Sequence, residues 1–451
     1  MLAGLGNPLL AERVADLKDI ERQVLVALYG EPEQGPELFD DSILVAEDLA
    51  PSELTRLPPA RWPASSPLPA AQRPCRHPGA GAGHPGAGGL RPSALALQPG
   101  QTLVLDARAG LANPSLPVRP GRRRAEIDKL AARRRAMQAS ANAPAITVDG
   151  VAIEVAVNIA NADDAREGVA HGADAVGLLR TEFLFIDRRD APTEAEQTAA
   201  YQAVLDALDG RHAIIRTLDV GGDKEVPYLQ LPPEPNPALG LRGIRTGFAY
   251  PDMLDAQLRA LLAVKPLSRL RILVPMIADV GELIRLRERI EQLAGEMSLS
   301  ERPQLGVMVE VPSAALLADQ LAKHADFLSI GSNDLTQYTL AMDRCNATLA
   351  ARIDSMHPGL LRLIAITVEG AKKYGKWVGV CGAMASDPQA VPVLIGLGVA
   401  ELSVSPRLVP EVKSLVRGLS RRHCEEEALR LLALGSPQAV RGRVTELWPG
   451  V

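Results

Sequence analysis

The sequence predicts an α/β protein whose C-terminal part is a (β/α)8 barrel, on three observations. From Pro144 onward, short apolar runs alternate with helical patterns for roughly 270 residues, and barrels of this kind are about 250 residues long. Several of those runs end in Arg, Glu, Asn, Asp or Cys, and barrels carry their chemistry at strand C-termini. No GxGxxG follows an early strand, which argues against a doubly wound sheet.

Ahead of the barrel, Leu10, Val14, Leu17, Val24 and Leu28 recur at helical spacing within 7–29. Ser42 to Ala46 reads as a short buried strand, and Glu47 to Leu54 as a capped helix start. Between Trp62 and Pro92 the chain is dense in Pro, Gly and Ala, with neither strand nor helix period. A structureless stretch of this length is rare inside a compact domain, and its default reading is a flexible linker. Gln101 to Asp106 is a second buried strand, so the linker interrupts what behaves as one small domain. Residues 121–140 form a basic helix, a pattern that usually marks a solvated connector rather than a nucleic-acid contact.

Within the barrel, strand-like runs occur at 151–157, 175–179, 213–217, 270–276, 305–311, 326–330 and 376–381. Helical patterns occupy 194–208, 252–264, 281–296, 314–324 and 358–374. That gives seven strands, and the missing one is expected near Leu241 to Ile244. Residues 421–451 read as a terminal helix and tail.

Bulk properties narrow the function. A formal net charge of −5 argues against nucleic-acid binding through bulk charge. The four cysteines are dispersed without CxxC, so a disulfide scaffold or zinc site is not expected. No apolar run reaches the ~18 residues of a membrane span, and a cytoplasmic location with no membrane insertion is the expectation.

The strand ends supply Arg180, Arg216, Glu310, Asn333, Asp334 and Cys381, with Arg242 at the obscure strand and Arg344 after SIGSNDLTQYTLAMD. Singly, each has an ordinary explanation: a surface ion pair, a helix cap or a small core residue. Together they describe a ligand. Several arginines suit phosphate and carboxylate oxygens, and two separated carboxylates suit Mg²⁺. A cysteine in a charged pocket can move a proton at carbon. A small phosphorylated carboxylic acid reacting through an enolate meets all three demands.

The motifs GLLRTEFLF, RTLDVGGDK, NPALGLRGIR, GVMVEVPSA, SIGSNDLTQYTLAMDR and GKWVGVCG resemble enzyme I of the bacterial phosphoenolpyruvate-dependent sugar phosphotransferase system. The resemblance spans 144–418 and implies a barrel of the phosphoenolpyruvate/pyruvate type. It implies that Arg180, Arg216, Arg242 and Arg344 hold phosphate and carboxylate, and that Asn333 and Asp334 contact the substrate. Glu310 and Asp334 would ligate Mg²⁺, and Cys381 would protonate the enolate to give pyruvate. Two positions depart from the pattern: Cys345 stands where Gly is expected, and Ala383 where Glu is common. Ala383 removes a potential partner of Cys381.

The same resemblance implies a phosphohistidine domain and an inserted helical domain that docks the carrier protein HPr. The expected segments are residues 1–30, the last helix of that docking domain, as though the chain starts inside the usual product, and 31–118, a damaged phosphohistidine domain. Then come a linker helix at 119–143, the barrel at 144–420, and a helix and tail at 421–451. The family's GG-x-TSH-A-I-x-AR motif is missing, because His77 and His84 each sit in His-Pro-Gly within the aberrant stretch 62–92. A frameshift explains this. Under GC-rich codons, Pro74 to Gly89 read one base later can encode HAAILARALGIPALV. Trp62 to Arg73 read two bases later can encode AGIVTAAGGATS.

The expected function is Mg²⁺-dependent transfer of phosphoryl from phosphoenolpyruvate through an enzyme histidine to HPr in sugar uptake, with a homodimer formed through the barrel. As written, the chain should lack turnover. The alternative is a non-catalytic phosphoenolpyruvate-binding or regulatory remnant.

Overall fold

The computed structural model describes residues 120–451, apart from 187, 222–225, 227, 230–233 and 347, together with four short strands nearer the N-terminus. The helices expected at 7–29 and 47–54, and His77 and His84, lie outside the described residues. The chain divides into two compact units, residues 1–125 with 343–351, and residues 126–342 with 352–451.

In the first unit, β1 (Ile43–Ala46) pairs in parallel with β2 (Trp62–Ser65). β3 (Val104–Asp106) pairs antiparallel with β4 (Leu111–Asn113). β1 and β3 fall within the expected strands. β2 corrects the reading of 62–92 as devoid of strand: Trp-Pro-Ala-Ser shows no alternation and carries a proline, so nothing in its own pattern signals a strand.

The second unit is a closed barrel of eight parallel strands. They are β5 (Glu154–Ile159), β6 (Val176–Leu179), β7 (Ala213–Arg216), β8 (Leu270–Val274), β9 (Gln304–Val309), β10 (Phe327–Ile330), β11 (Val378–Val380) and β12 (Glu401–Val404). Neighbours in the chain are neighbours in the barrel, and β12 closes on β5. The strands are short and largely apolar because both faces are covered, one by helices and one by the lumen. Leu178, Ile214, Leu273, Met308, Phe327 and Cys381 form a separate buried cluster from five of the strands and the turn after β11. The larger core lies where strands meet helices.

Seven strands match expected runs to within a few residues. The eighth does not lie near Leu241 to Ile244, where the chain turns into the helix Ile244–Ala249. It is β12, whose Glu401 and Ser403 are buried and break the apolar pattern that marks the other strands. Helix starts follow local chemistry. Thr193 with Glu196, and Asp279 with Glu282, form capping boxes for Glu194–Asp206 and Val280–Glu296. The helix expected at 314–324 is split into Pro312–Leu316 and Ala318–Leu321. The C-terminal helix and tail are instead two helices, Arg421–Leu431 and Pro437–Leu447, whose Cys424, Leu431, Val440 and Val444 join the core. Contact there is close, since a Cβ on Gly396 would lie 2.2 Å from the Cys424 carbonyl oxygen.

Candidate active site

The parallel direction of all eight strands puts their C-termini at one end, and the sequence places its charged residues there. Arg216 is the last residue of β7 and Arg180 follows β6. Glu310 follows β9, and Cys381 follows β11. Asn333 and Asp334 lie in the first turn of the helix Ser332–Leu340 after β10. Ser332, Asn333 and Asp334 do not cap that helix: its N-cap is Gly331 and no side chain caps it. Asp334 is thereby available to other partners.

Arg242 comes from the connection between β7 and β8, not from a strand. Its guanidinium is 3% exposed and lies between two carboxylates. Nε and Nη2 donate to the Asp219 Oδ1 and Oδ2 atoms at 3.1 Å each. Nη1 and Nη2 donate to the Asp334 Oδ1 and Oδ2 atoms at 2.8 and 3.1 Å. Burial alone would lower its pKa, but the two carboxylates outweigh that and hold it well above the ordinary arginine value.

Arg216, also buried, donates to Glu182 and pairs with Asp219 Oδ2 at 3.1 Å. Burial opposes its charge, and Glu182, Asp219 and Glu310 more than restore it. Its Nε remains buried with no hydrogen-bond partner. Arg180 is exposed at the end of β6. Loss of hydration there and the neighbouring Arg216 charge hold its pKa below the usual value.

Glu310 is fully buried. Its Oε1 accepts from the Met276 N–H at 2.7 Å, and its Oε2 has no hydrogen-bond partner among the described residues. Burial first, then the Asp219 and Asp334 carboxylates, push its pKa up to about 8. Gly331 gives this oxygen its space, since a Cβ there would stand 3.0 Å from Oε2. A buried carboxylate oxygen without a donor, next to a second acid, is a hard-oxygen arrangement that fits Mg²⁺.

Asn333 is exposed, and its Oδ1 accepts from the Ala383 N–H at 2.9 Å, tying the β10 and β11 ends together. The Cys381 thiol lies 3.6 Å from the Ile330 carbonyl oxygen, and burial pushes its pKa up to about 11. A neutral thiol is a proton donor rather than a nucleophile. Arg344 falls in the 343–351 segment of the other compact unit, so its expected phosphate contact rests on sequence alone.

Two members of the group escaped the sequence reading. Glu182 and Asp219 stand two and three residues after Arg180 and Arg216, inside motifs already singled out. Each is almost wholly buried and holds an arginine in place. Acids spaced closely after strand-end arginines were the available signal.

Residues 134–421 match the family described as PEP-utilising enzyme, PEP-binding domain. The phosphoenolpyruvate-protein phosphotransferase of Bacillus subtilis (strain 168) is 36% identical over 471 residues, covering 99% of this chain and 80% of that one. The chain belongs to the phosphoenolpyruvate-protein phosphotransferase family. Two multiphosphoryl transfer proteins are more similar still. That of Xanthomonas campestris pv. campestris is 43% identical over 451 residues, and that of Rhodobacter capsulatus 42% over 450. Each alignment covers 98% of this chain but only 53% and 54% of the relative, so the chain spans about half the length of these proteins. The barrel-end cluster therefore belongs to a family of phosphotransferase enzymes named for phosphoenolpyruvate.

Proposed function

We propose that this barrel binds phosphoenolpyruvate with Mg²⁺ at its C-terminal end, the site from which, in an intact relay, phosphoryl would pass to an enzyme histidine and on to HPr in sugar uptake. What carries this reading is the convergence of Arg180, Arg216, Arg242, Glu310 and Asp334 at one barrel end, with an unpartnered Glu310 oxygen among them. Arg180, Arg216 and Arg242 would offset the charge of the phosphate and carboxylate oxygens, Arg242 from its place between Asp219 and Asp334. Asn333 would add a hydrogen bond to the substrate. Glu310 and Asp334 would hold Mg²⁺, which when bound would supply positive charge against the phosphoryl oxygens.

Glu182 and Asp219 keep the arginines oriented before substrate arrives, so little reorganisation is needed. When phosphoryl leaves, the enolate carbon takes a proton from the buried Cys381 thiol and pyruvate results. The high pKa of that thiol keeps the proton in place until then. Ala383 cannot act as an acid–base partner to Cys381, so the thiol works without one on that side. A homodimer through the barrel and a cytoplasmic setting complete the reading. No helix among the described residues is long and apolar enough to cross a membrane.

His77 and His84 lie outside the family's histidine motif, so the chain as written should bind phosphoenolpyruvate without completing turnover. The same observation favours a second reading, a phosphoenolpyruvate-binding remnant with a regulatory role. Incubation with phosphoenolpyruvate labelled in its phosphoryl group, with Mg²⁺, tests whether the relay is broken. We expect no stable phosphohistidine on this chain, and appearance of one would show that the relay survives.

A further inference from the structure

At the opposite end of the barrel from the arginines lies a second titratable cluster that the proposed chemistry does not use. Glu154 opens β5, Glu401 opens β12, and His212 precedes β7, with their ligand atoms all within 4.8 Å of one another. Arg271 of β8 closes the group. Its Nη1 lies 2.8 Å from His212 Nε2, and its guanidinium sits over the Trp377 ring at 5.2 Å. Trp377 in turn stacks on Phe327 at 4.8 Å.

The two carboxyls are not equivalent. Glu154 is half-buried and has His212 Nε2 at 3.1 Å from its Oε1. Glu401 is 1% exposed, and no donor among the described residues reaches either of its oxygens. It is also confined: a Cβ on Gly177 of β6 or Gly379 of β11 would stand 2.9 Å from Glu401 Oε1. An isolated ionised carboxylate in such a place is strongly disfavoured. A Glu154 carboxylate oxygen lies within 4.8 Å of a Glu401 oxygen, and two ionised carboxylates offer each other only acceptors.

A metal ion is the other way to satisfy two carboxylates and a histidine. Here the Arg271 cation already lies against the histidine nitrogen a metal would need, and the glycine-walled slot leaves Glu401 little room for additional ligands. We propose that Glu154 and Glu401 share a single proton at the N-terminal end of the barrel strands, making this a proton-binding site that couples barrel stability to pH. The charged and titratable groups facing the pair are His212 and Arg271, and the Cys381 thiol further along the lumen also feels the Glu401 charge.

The sign follows from the directions of the shifts. Burial and the Glu154 charge raise the Glu401 pKa well above normal, while Glu154 is lowered on balance, burial being outweighed by His212, Glu401 and Arg271 together. The folded barrel then retains a proton that the unfolded chain has lost, so stability falls as pH rises above the ordinary glutamate range. This rests on nothing at the other barrel end and stands if phosphoenolpyruvate does not bind.

The test is unfolding of the full chain between about pH 5 and pH 7, with Glu401→Gln compared against wild type. We expect the linked proton count to drop by about one in the variant, because the amide is neutral throughout and can donate to Glu154. An infrared carbonyl band of a protonated carboxyl should persist above the ordinary glutamate range in Glu310→Gln, which removes the other described carboxyl whose pKa is raised. That measurement decides the matter even where Glu401→Gln does not fold. An unchanged proton count, or no such band, overturns the proposal. So does a rise in wild-type melting temperature with Zn²⁺ or Mn²⁺ that Glu401→Gln abolishes, which would make the cluster a metal site.

Discussion

Replacing Glu310 by Gln should make the protein more stable and less functional at once. In the free protein Glu310 is fully buried, with one oxygen bonded to the Met276 N–H and the other unpartnered. Its pKa of about 8 against an ordinary 4.5 means the folded chain must hold a proton at pH 7 that the unfolded chain has released. At 1.36 kcal/mol per pH unit, the 2.5 units between 4.5 and 7 cost at most about 3 kcal/mol. Glutamine keeps an oxygen for Met276 and is neutral at every pH, so the variant escapes that cost. In a chain of this size, about 2 °C per kcal/mol gives a melting temperature roughly 5 °C higher at pH 7.

The gain should shrink toward pH 4.5, because the wild-type stability tied to this group falls only as pH rises from there toward 8. Stabilisation by phosphoenolpyruvate with Mg²⁺ should disappear in the same variant. Thermal unfolding across pH, with and without the two ligands, reads all of this. A Glu310→Gln protein that melts at or below wild type at pH 7, or that keeps its Mg²⁺-dependent stabilisation, would refute the reasoning.

Other perturbations have equally definite outcomes. Arg242→Met should cost about 3–5 kcal/mol in urea unfolding, because it leaves the buried Asp219 and Asp334 carboxylates without their shared cation. Gly331→Ala should weaken Mg²⁺ binding by calorimetry, since its Cβ would stand 2.9 Å from Met308 Cε and 3.0 Å from Glu310 Oε2. Alkylation followed by mass spectrometry should label exposed Cys345 well before Cys381 and Cys424, whose thiols burial raises to about 11 and about 12. Equal labelling of Cys345 and Cys381 at neutral pH would contradict the buried, protonated thiol.

The barrel was legible because parallel strands covered on both faces are written as short apolar runs, and seven of eight were. β12 was not, since a strand that carries a buried Glu401 and Ser403 toward other polar groups loses that signature. Arg242 was found by its residue type but assigned to a strand. Its place is set by Asp219 and Asp334, contacts 23 and 92 residues away that no local pattern records. Glu182 and Asp219 were hidden for the same reason: an acid that orients an arginine looks in sequence like any acid in a loop. Ser332, Asn333 and Asp334 illustrate the converse, because their composition signals a cap while Asp334 is occupied by an arginine across the barrel end.

The most direct measurement is a calorimetric titration of the intact chain with phosphoenolpyruvate, with and without Mg²⁺, alongside Arg216→Met. We expect one phosphoenolpyruvate per chain only when Mg²⁺ is present, and loss of that binding in the variant. Absence of binding in the wild type, or binding indifferent to both Mg²⁺ and Arg216, would contradict the assignment of the barrel end as the phosphoenolpyruvate site.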